Sequence, residues 1–372
     1  MSEQLETQKK PSRQPAWEAL LRSATQPSLP ALLGTLLVTL LLFLTCAVVI
    51  TPHSLSSVDS RYLLAHDRDT LSDTTHLCMR MRFSRPGPLA VAILGSSDTR
   101  AATSDPQEIE QVLTQRLGRR TPVYDLAVPS VGICEIAAMA DWLGEGFNGV
   151  VVISMIPGRL ARGGEWLEKS FESPRLGLDS KVFDEEVRLA GVELPARSGI
   201  YFFDHYRFLV ARRKALFHLV TGPPPTFVRY AFPDGEQLSG KKWDDMVERL
   251  QSTLETYYEN RDSSLAVLSR TVERLRRRGQ VEVVLLEAPR HPELVGPVYS
   301  PELLADHRAY LERFSREHDA HYWNLQSEAN LVSGDFRDYC HLRSPEARDR
   351  YTRVLTKRLT ALLTPFLAME RK

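Results

Sequence analysis

The chain has 372 residues, a quarter of them charged, and its 47 lysines and arginines are cancelled by 47 aspartates and glutamates. That balance leaves no basic footprint for nucleic acid, which is therefore not an expected partner. Four cysteines are too few for a disulfide scaffold, and the roughly 310 residues after the first apolar run suffice for one large domain.

Residues 1–30 are polar and broken by Pro11, Pro15, Pro27 and Pro30, which predicts a short cytoplasmic tail. Ala31 to Ile50 carries no charge; at 1.5 Å per residue it reaches ~30 Å, the thickness of a bilayer core. A cleaved signal peptide is the rival, but its apolar region is usually ~7–15 residues and close to the start. Here no small-x-small site follows cleanly, so an uncleaved transmembrane anchor is expected. Cys46 follows Phe43-Leu44-Thr45, without the small residue that precedes a lipidated cysteine, and reads as apolar filler. Lys9, Lys10, Arg13 and Arg22 lie before the span, against Arg61 and Arg68 after it. The positive-inside rule then places the N-terminus in the cytoplasm and the body outside the cytoplasmic membrane. Residues 51–86 read as a polar stalk or lead-in. Asp67, Asp69 and Asp73 have loosely calcium-like spacing, but no turn glycine and no closing glutamate accompany them.

From residue 87 to 372 strand-like and helix-like segments alternate, predicting an α/β fold with a parallel sheet. The predicted strands are 89–94, 123–128, 150–154, 281–286 and a short one near 321–325. Asp105-Pro106-Gln107-Glu108 is a helix start, and Gly118 a stop. Further helices are predicted at 134–143, 242–278 (ended by Gly279), 301–318 and from Ser344-Pro345 onward. In the last of these Tyr351, Val354, Leu355, Leu359 and Leu362 form the buried face. Residues 157–245 break the rhythm with turns such as Gly222-Pro223-Pro224-Pro225 and read as an insertion over the site.

Ser97 follows the first strand, and Asp338 and His341 share a loop before the last helix. A serine hydroxyl needs an imidazole to take its proton, and the imidazole needs a partner that fixes its tautomer. An aspartate three residues before the histidine serves. The Ser97 N–H and the loop Ala127 to Gly132 are natural oxyanion donors. His318 and His321 lack a third ligand at metal spacing, and no glycine-rich phosphate loop occurs, so neither a metal nor a cofactor is expected. His291 follows the fourth strand and can approach the site. Tyr201 to Lys214 mixes aromatics with basic residues. One reading is contact with the membrane surface or with an integral membrane acyl-donor protein; a lid helix with solvated charges is preferred. Among Cys78, Cys134 and Cys340 one pair can bond in an oxidising space, Cys134 with Cys340 by position, though isolated apolar cysteines are the preferred reading.

Gly95-Ser96-Ser97 resembles the first motif of the SGNH/GDSL hydrolase superfamily, with serine in place of the aspartate of Gly-Asp-Ser. Asp338-Tyr339-Cys340-His341-Leu342 is similar to the last motif, and Tyr124 to Gly132 to the second, glycine-bearing one. The third motif supplies an asparagine after the third strand; here Ser154-Met155-Ile156-Pro157 stands there, and Asn148 precedes the strand. The resemblance covers roughly residues 88–156 and 280–365. With its Gly-Ser-Ser variant behind an anchor, it extends to the exported proteins of teichoic-acid D-alanylation and alginate O-acetylation. It implies a flavodoxin-like three-layer α/β/α fold, with Ser97 as nucleophile, His341 as base and Asp338 as its orienter. The oxyanion hole would draw on Ser97, Ser130 and Gly132, with Ser154 in the asparagine's place. A serine esterase or O-acyltransferase acting on an acylated glycan or envelope polymer is then expected. The missing asparagine keeps open a non-catalytic binding or assembly role in the same kind of system.

Overall fold

The computed structural model describes residues 28–83, 89–163, 176–227, 236–278 and 280–369. It divides into two units, Met1–Ile50 and Thr51–Lys372. In the first, helix α1 (Leu29–Val49) has a mean hydropathy of 2.6 and no buried residue. Among the described residues one helix is thus long and apolar enough to cross a membrane. It starts two residues before the predicted run because Pro30 sits in the first turn, where its missing N–H has no intrahelical role. The tail predicted at 1–30 lies outside the described residues up to residue 27.

The lead-in is folded rather than a polar stalk. Thr51 caps α2 (Pro52–Ser56), a 3-10 turn covers Ser60–Leu63, and α3 spans Thr70–Phe83. Leu55, Leu63, Leu64, Cys78 and Met79 are buried. Asp69 is not a calcium ligand in waiting. It accepts from the Ala65 and Ser72 N–H groups at 2.9 and 3.1 Å and pairs with Arg212 at 3.3 Å. Burial works against its ionisation, but Arg212 and these donors hold its carboxyl below the usual range.

The sheet then begins. β1 (Ala90–Leu94) leads to α4 (Ser97–Ala102) and α5 (Pro106–Leu117). As predicted, Asp105 caps α5 through the Gln107 N–H at 2.8 Å, and Gly118 ends it at φ +65°. β2 is only Val123–Asp125, because the chain bends into a loop once Ala127 N–H donates to Asp125 Oδ1. α6 (Ile133–Trp142), β3 (Gly149–Met155) and α7 (Pro157–Leu160) follow. The insertion holds α8 (Lys181–Leu189), α9 (Tyr201–Asp204), α10 (Tyr206–Ala211) and α11 (Arg213–Thr221). The single helix predicted over 242–278 is two, α12 (Lys241–Glu255) and α13 (Tyr257–Arg277). They part at Thr256, whose hydroxyl donates to the Ala161 carbonyl at 2.8 Å and ties the junction to the end of α7. Gly279, the predicted stop, lies outside the described residues. β4 (Val281–Glu287), α14 (Pro301–Glu317), β5 (His321–Asn324) and α15 (Pro345–Met369) complete the chain.

All five strands are parallel, in the order β2-β1-β3-β4-β5. Alternate strand residues (Val91, Ile93, Val150, Val152, Val284, Leu286) share a core with Ile109 and Leu113 of α5 and with Tyr351, Leu355, Leu359 and Leu363 of α15. Val354 and Leu362, predicted on the α15 core face, pack at its margin. α6 and α13 pack against each other, α6 on β1 and α13 on β4. β1 and β3 are buried along their whole lengths.

Candidate active site

Gly95 makes the turn after β1. A Cβ there would lie 2.3 Å from Thr99 Oγ1 and 3.0 Å from Ser154 Cβ, so only glycine lets α4 start this close to β3. The turn places Ser97 as the first residue of α4, half-buried, with its N–H bonded to no acceptor among the described residues. Ser96 Oγ donates to Asp98 Oδ1 at 2.6 Å, as does the Thr99 N–H at 2.7 Å, which locks the turn.

The loop carrying Asp338 and His341 is closed by an antiparallel bridge between Phe336 and Leu342, both sunk in the core. The Arg337 N–H donates to the His341 carbonyl at 2.8 Å, and the His291 N–H to the Tyr339 carbonyl at 2.9 Å. In this frame His341 Nε2 lies 2.9 Å from Ser97 Oγ, and His341 Nδ1 lies 2.8 and 2.7 Å from the two Asp338 oxygens. The Cys340 and His341 N–H groups both donate to Asp338 Oδ1 at 3.1 Å. Burial opposes ionisation of Asp338, but His341 and these backbone donors outweigh it and hold the carboxyl below its usual range. An ionised Asp338 accepts the Nδ1 proton, which leaves Nε2 bare toward the serine. The side chains of His341 and Asp338 are 11% and 15% exposed, shielded from bulk water yet reachable.

The three residues singled out for acyl chemistry are therefore brought together. The other oxyanion candidates are placed unequally. Gly132's N–H already donates to Glu135 Oε2 at 2.8 Å and caps α6. Ser154 is fully enclosed, its hydroxyl without a hydrogen-bond partner among the described residues. Ser130 is exposed at φ +56°, a left-handed conformation a serine rarely holds, and its carbonyl accepts from Arg162 at 2.9 Å.

A cleft of about 530 Å³ opens beside the relay, lined by Ser130, Gly158, Asp338 and Tyr339 and by Met246 and Leu250 of α12. Its size suits a small ligand or one end of a larger one. The stretch Tyr201 to Lys214, expected as a lid, does not line it, and Arg212 is spent on Asp69; α11, which continues the chain, packs on the Ser60–Leu63 turn. His291 is buried behind the loop, 2.9 Å from Gln237 and against Trp243 and Phe336, where it braces the site rather than facing the cleft. The four cysteines are free thiols. Donor atoms of Asp338, Cys340 and His341 lie within 4.8 Å of one another. Two of these groups are already bonded to each other, and burial pushes the Cys340 thiol up, so a metal here would have to break the relay.

Sequence reasoning missed Arg159. It is fully buried on α7, with no hydrogen-bond partner for its guanidinium among the described residues and with Asp98 and Tyr339 in electrostatic contact. Nothing in Pro157-Gly158-Arg159-Leu160 marks it, because a surface arginine after a strand reads the same way. No family model and no curated protein matches the sequence.

Proposed function

We propose that this chain is a single-pass, membrane-anchored serine esterase or O-acyltransferase of SGNH type, working outside the cytoplasmic membrane on an acylated glycan or envelope polymer. The relay Ser97–His341–Asp338 carries this reading. The fold supports it: the strand order 2-1-3-4-5, with helices packed as described, suits a flavodoxin-like three-layer arrangement, and Ser97 and Asp338 flank the carboxyl ends of the strands where such sheets bind ligands. Ser97 Oγ attacks the acyl carbonyl as its proton passes to His341 Nε2. The leaving group departs with that proton, and an acyl-serine remains. Water or a sugar hydroxyl then gives its proton to Nε2 and attacks the acyl carbonyl; the bond to Ser97 Oγ breaks, Oγ regains the proton from Nε2, and the acid or a new ester leaves. The negative charge that develops on the carbonyl oxygen in each step is met by the Ser97 N–H and the Ser130 loop.

The thin oxyanion hole favours a second reading, a binding or assembly component without efficient turnover. With Gly132 committed to Glu135 and Ser154 enclosed, fewer donors remain. Labelling with a fluorophosphonate separates the two. The acyl-serine reading expects wild type to label, and Ser97→Ala and His341→Ala to be silent. A folded wild type that stays unlabelled by a probe small enough for the cleft sinks it.

A further inference from the structure

We propose that the end of α11 lies against the bilayer surface and holds the catalytic body down on the membrane that α1 is read as spanning. From Phe217 to Thr221 every residue is exposed: Phe217 by 66%, Leu219 by 43% and Val220 by 87%, with His218 between them. Arg213 and Lys214, one turn earlier, are exposed too, and Ala215 is the one fully buried residue of the helix. An apolar tip beside basic residues matches a bilayer interface, where aromatic and aliphatic groups enter below the headgroups and cations meet the phosphates.

Two features make this a surface held in place. Arg212, immediately before α11, is buried, donates to Ser72 and to the Phe208 carbonyl and pairs with Asp69, so the start of the helix is fixed to α3. α11 packs on the Ser60–Leu63 turn, and Tyr62 Oη donates to the Gly222 carbonyl at 3.4 Å. That turn begins ten residues after Ile50, which bounds its reach from the end of the apolar run to about 35 Å, and less because α2 is helical. Whatever the orientation of the body, covalent length keeps α11 near the membrane. α11 continues the stretch Tyr201 to Lys214 that was expected to be a lid, and none of it lines the cleft. A bilayer is favoured over a protein partner because the tether guarantees lipid within reach.

The proposal rests on α1 spanning a membrane but not on serine chemistry. In full-length chain with Cys46→Ala, the remaining cysteines are buried, so Val220→Cys accepts a nitroxide selectively. Lys357→Cys, exposed on α15, is the control. Proteoliposomes of zwitterionic lipid, with and without anionic lipid, contain no other protein. The expected result is a label at 220 several-fold more accessible to oxygen, relative to a water-soluble nickel chelate, than the label at 357. Arg213→Ala/Lys214→Ala should cut the docked-to-free ratio about thirtyfold on anionic vesicles. A label at 220 as wet as that at 357 in both lipids overturns the proposal and assigns the patch to a protein partner or to water. Release of the chain by alkaline carbonate overturns the span, and the tether with it. Fluorophosphonate labelling of the same vesicles reports the acyl-serine reading separately.

Discussion

Replacing Asp338 with asparagine tests the relay at its least replaceable atom. Asparagine has nearly the same shape, and its carbonyl can still accept the Cys340 and His341 N–H groups now 3.1 Å from Oδ1. The loop should therefore keep its place, at a cost of about 1 kcal/mol and a melting shift of about 2 °C. The chemistry should not survive. With an NH₂ now near Nδ1, the favoured tautomer has Nδ1 accepting and its proton on Nε2, 2.9 Å from Ser97 Oγ. A protonated Nε2 cannot take the serine proton. The corresponding change in an oriented Ser–His pair costs ~10⁴ in kcat, about 5.4 kcal/mol of barrier. The assay is the pseudo-first-order rate of fluorophosphonate labelling, with hydrolysis of an activated aryl acetate beside it. A well-folded Asp338→Asn protein that labels within tenfold of wild type, while His341→Ala stays inert, would show that the carboxylate does not set the tautomer.

Gly95→Ala should disturb the turn that carries Ser97, since its Cβ would meet Thr99 2.3 Å away and Ser154 3.0 Å away. Labelling at least tenfold slower, with a loss of about 1–3 kcal/mol in urea unfolding, is the expected outcome, and wild-type values in both would show that the turn yields freely. His205 is buried, both ring nitrogens lack partners among the described residues, and burial with Arg197 nearby depresses its pKa to about 4. Unfolded, it titrates near 6.5, so the unfolded chain binds the extra proton. Its share of stability is then intact above pH ~6.5 and lost as pH falls toward 4, amounting to about 2 kcal/mol at pH 5. His205→Phe, which can keep the stacking with Tyr201 at 4.5 Å, should lose that much less between pH 7.5 and 5. Equal losses would contradict the assignment.

Much of the fold was legible locally. The apolar runs of β1 and β3 and the Asp105 cap needed no distant partner to declare themselves, because continuous apolar segments and N-caps act over a few residues. The junction at Thr256 was not legible, because helical periodicity continues across it and the Ala161 carbonyl that stops it comes from about a hundred residues away. That the polar stretch 51–86, stalk or lead-in, folds was hidden for the same reason: Asp69 finds its partner only in Arg212, 143 residues later. At the site, motif and order led to the expectation that Ser97, Asp338 and His341 meet, and they do. Gly132's engagement with Glu135 was readable in principle from their spacing as a capping pair.

By itself the sequence determined which segments could be strands, helices and a membrane span, and which side chains could do acyl chemistry, since periodicity, apolar length and residue type are local properties. Only the tertiary structure decided which of those groups meet. It brought Nε2 to 2.9 Å from a serine 244 residues away, enclosed Ser154, buried Arg159 in electrostatic contact with Asp98, and kept the expected lid away from the cleft. Such choices depend on how the parallel sheet orders its strands and on which side chains the core excludes from water, and neither is encoded within reach of any single segment.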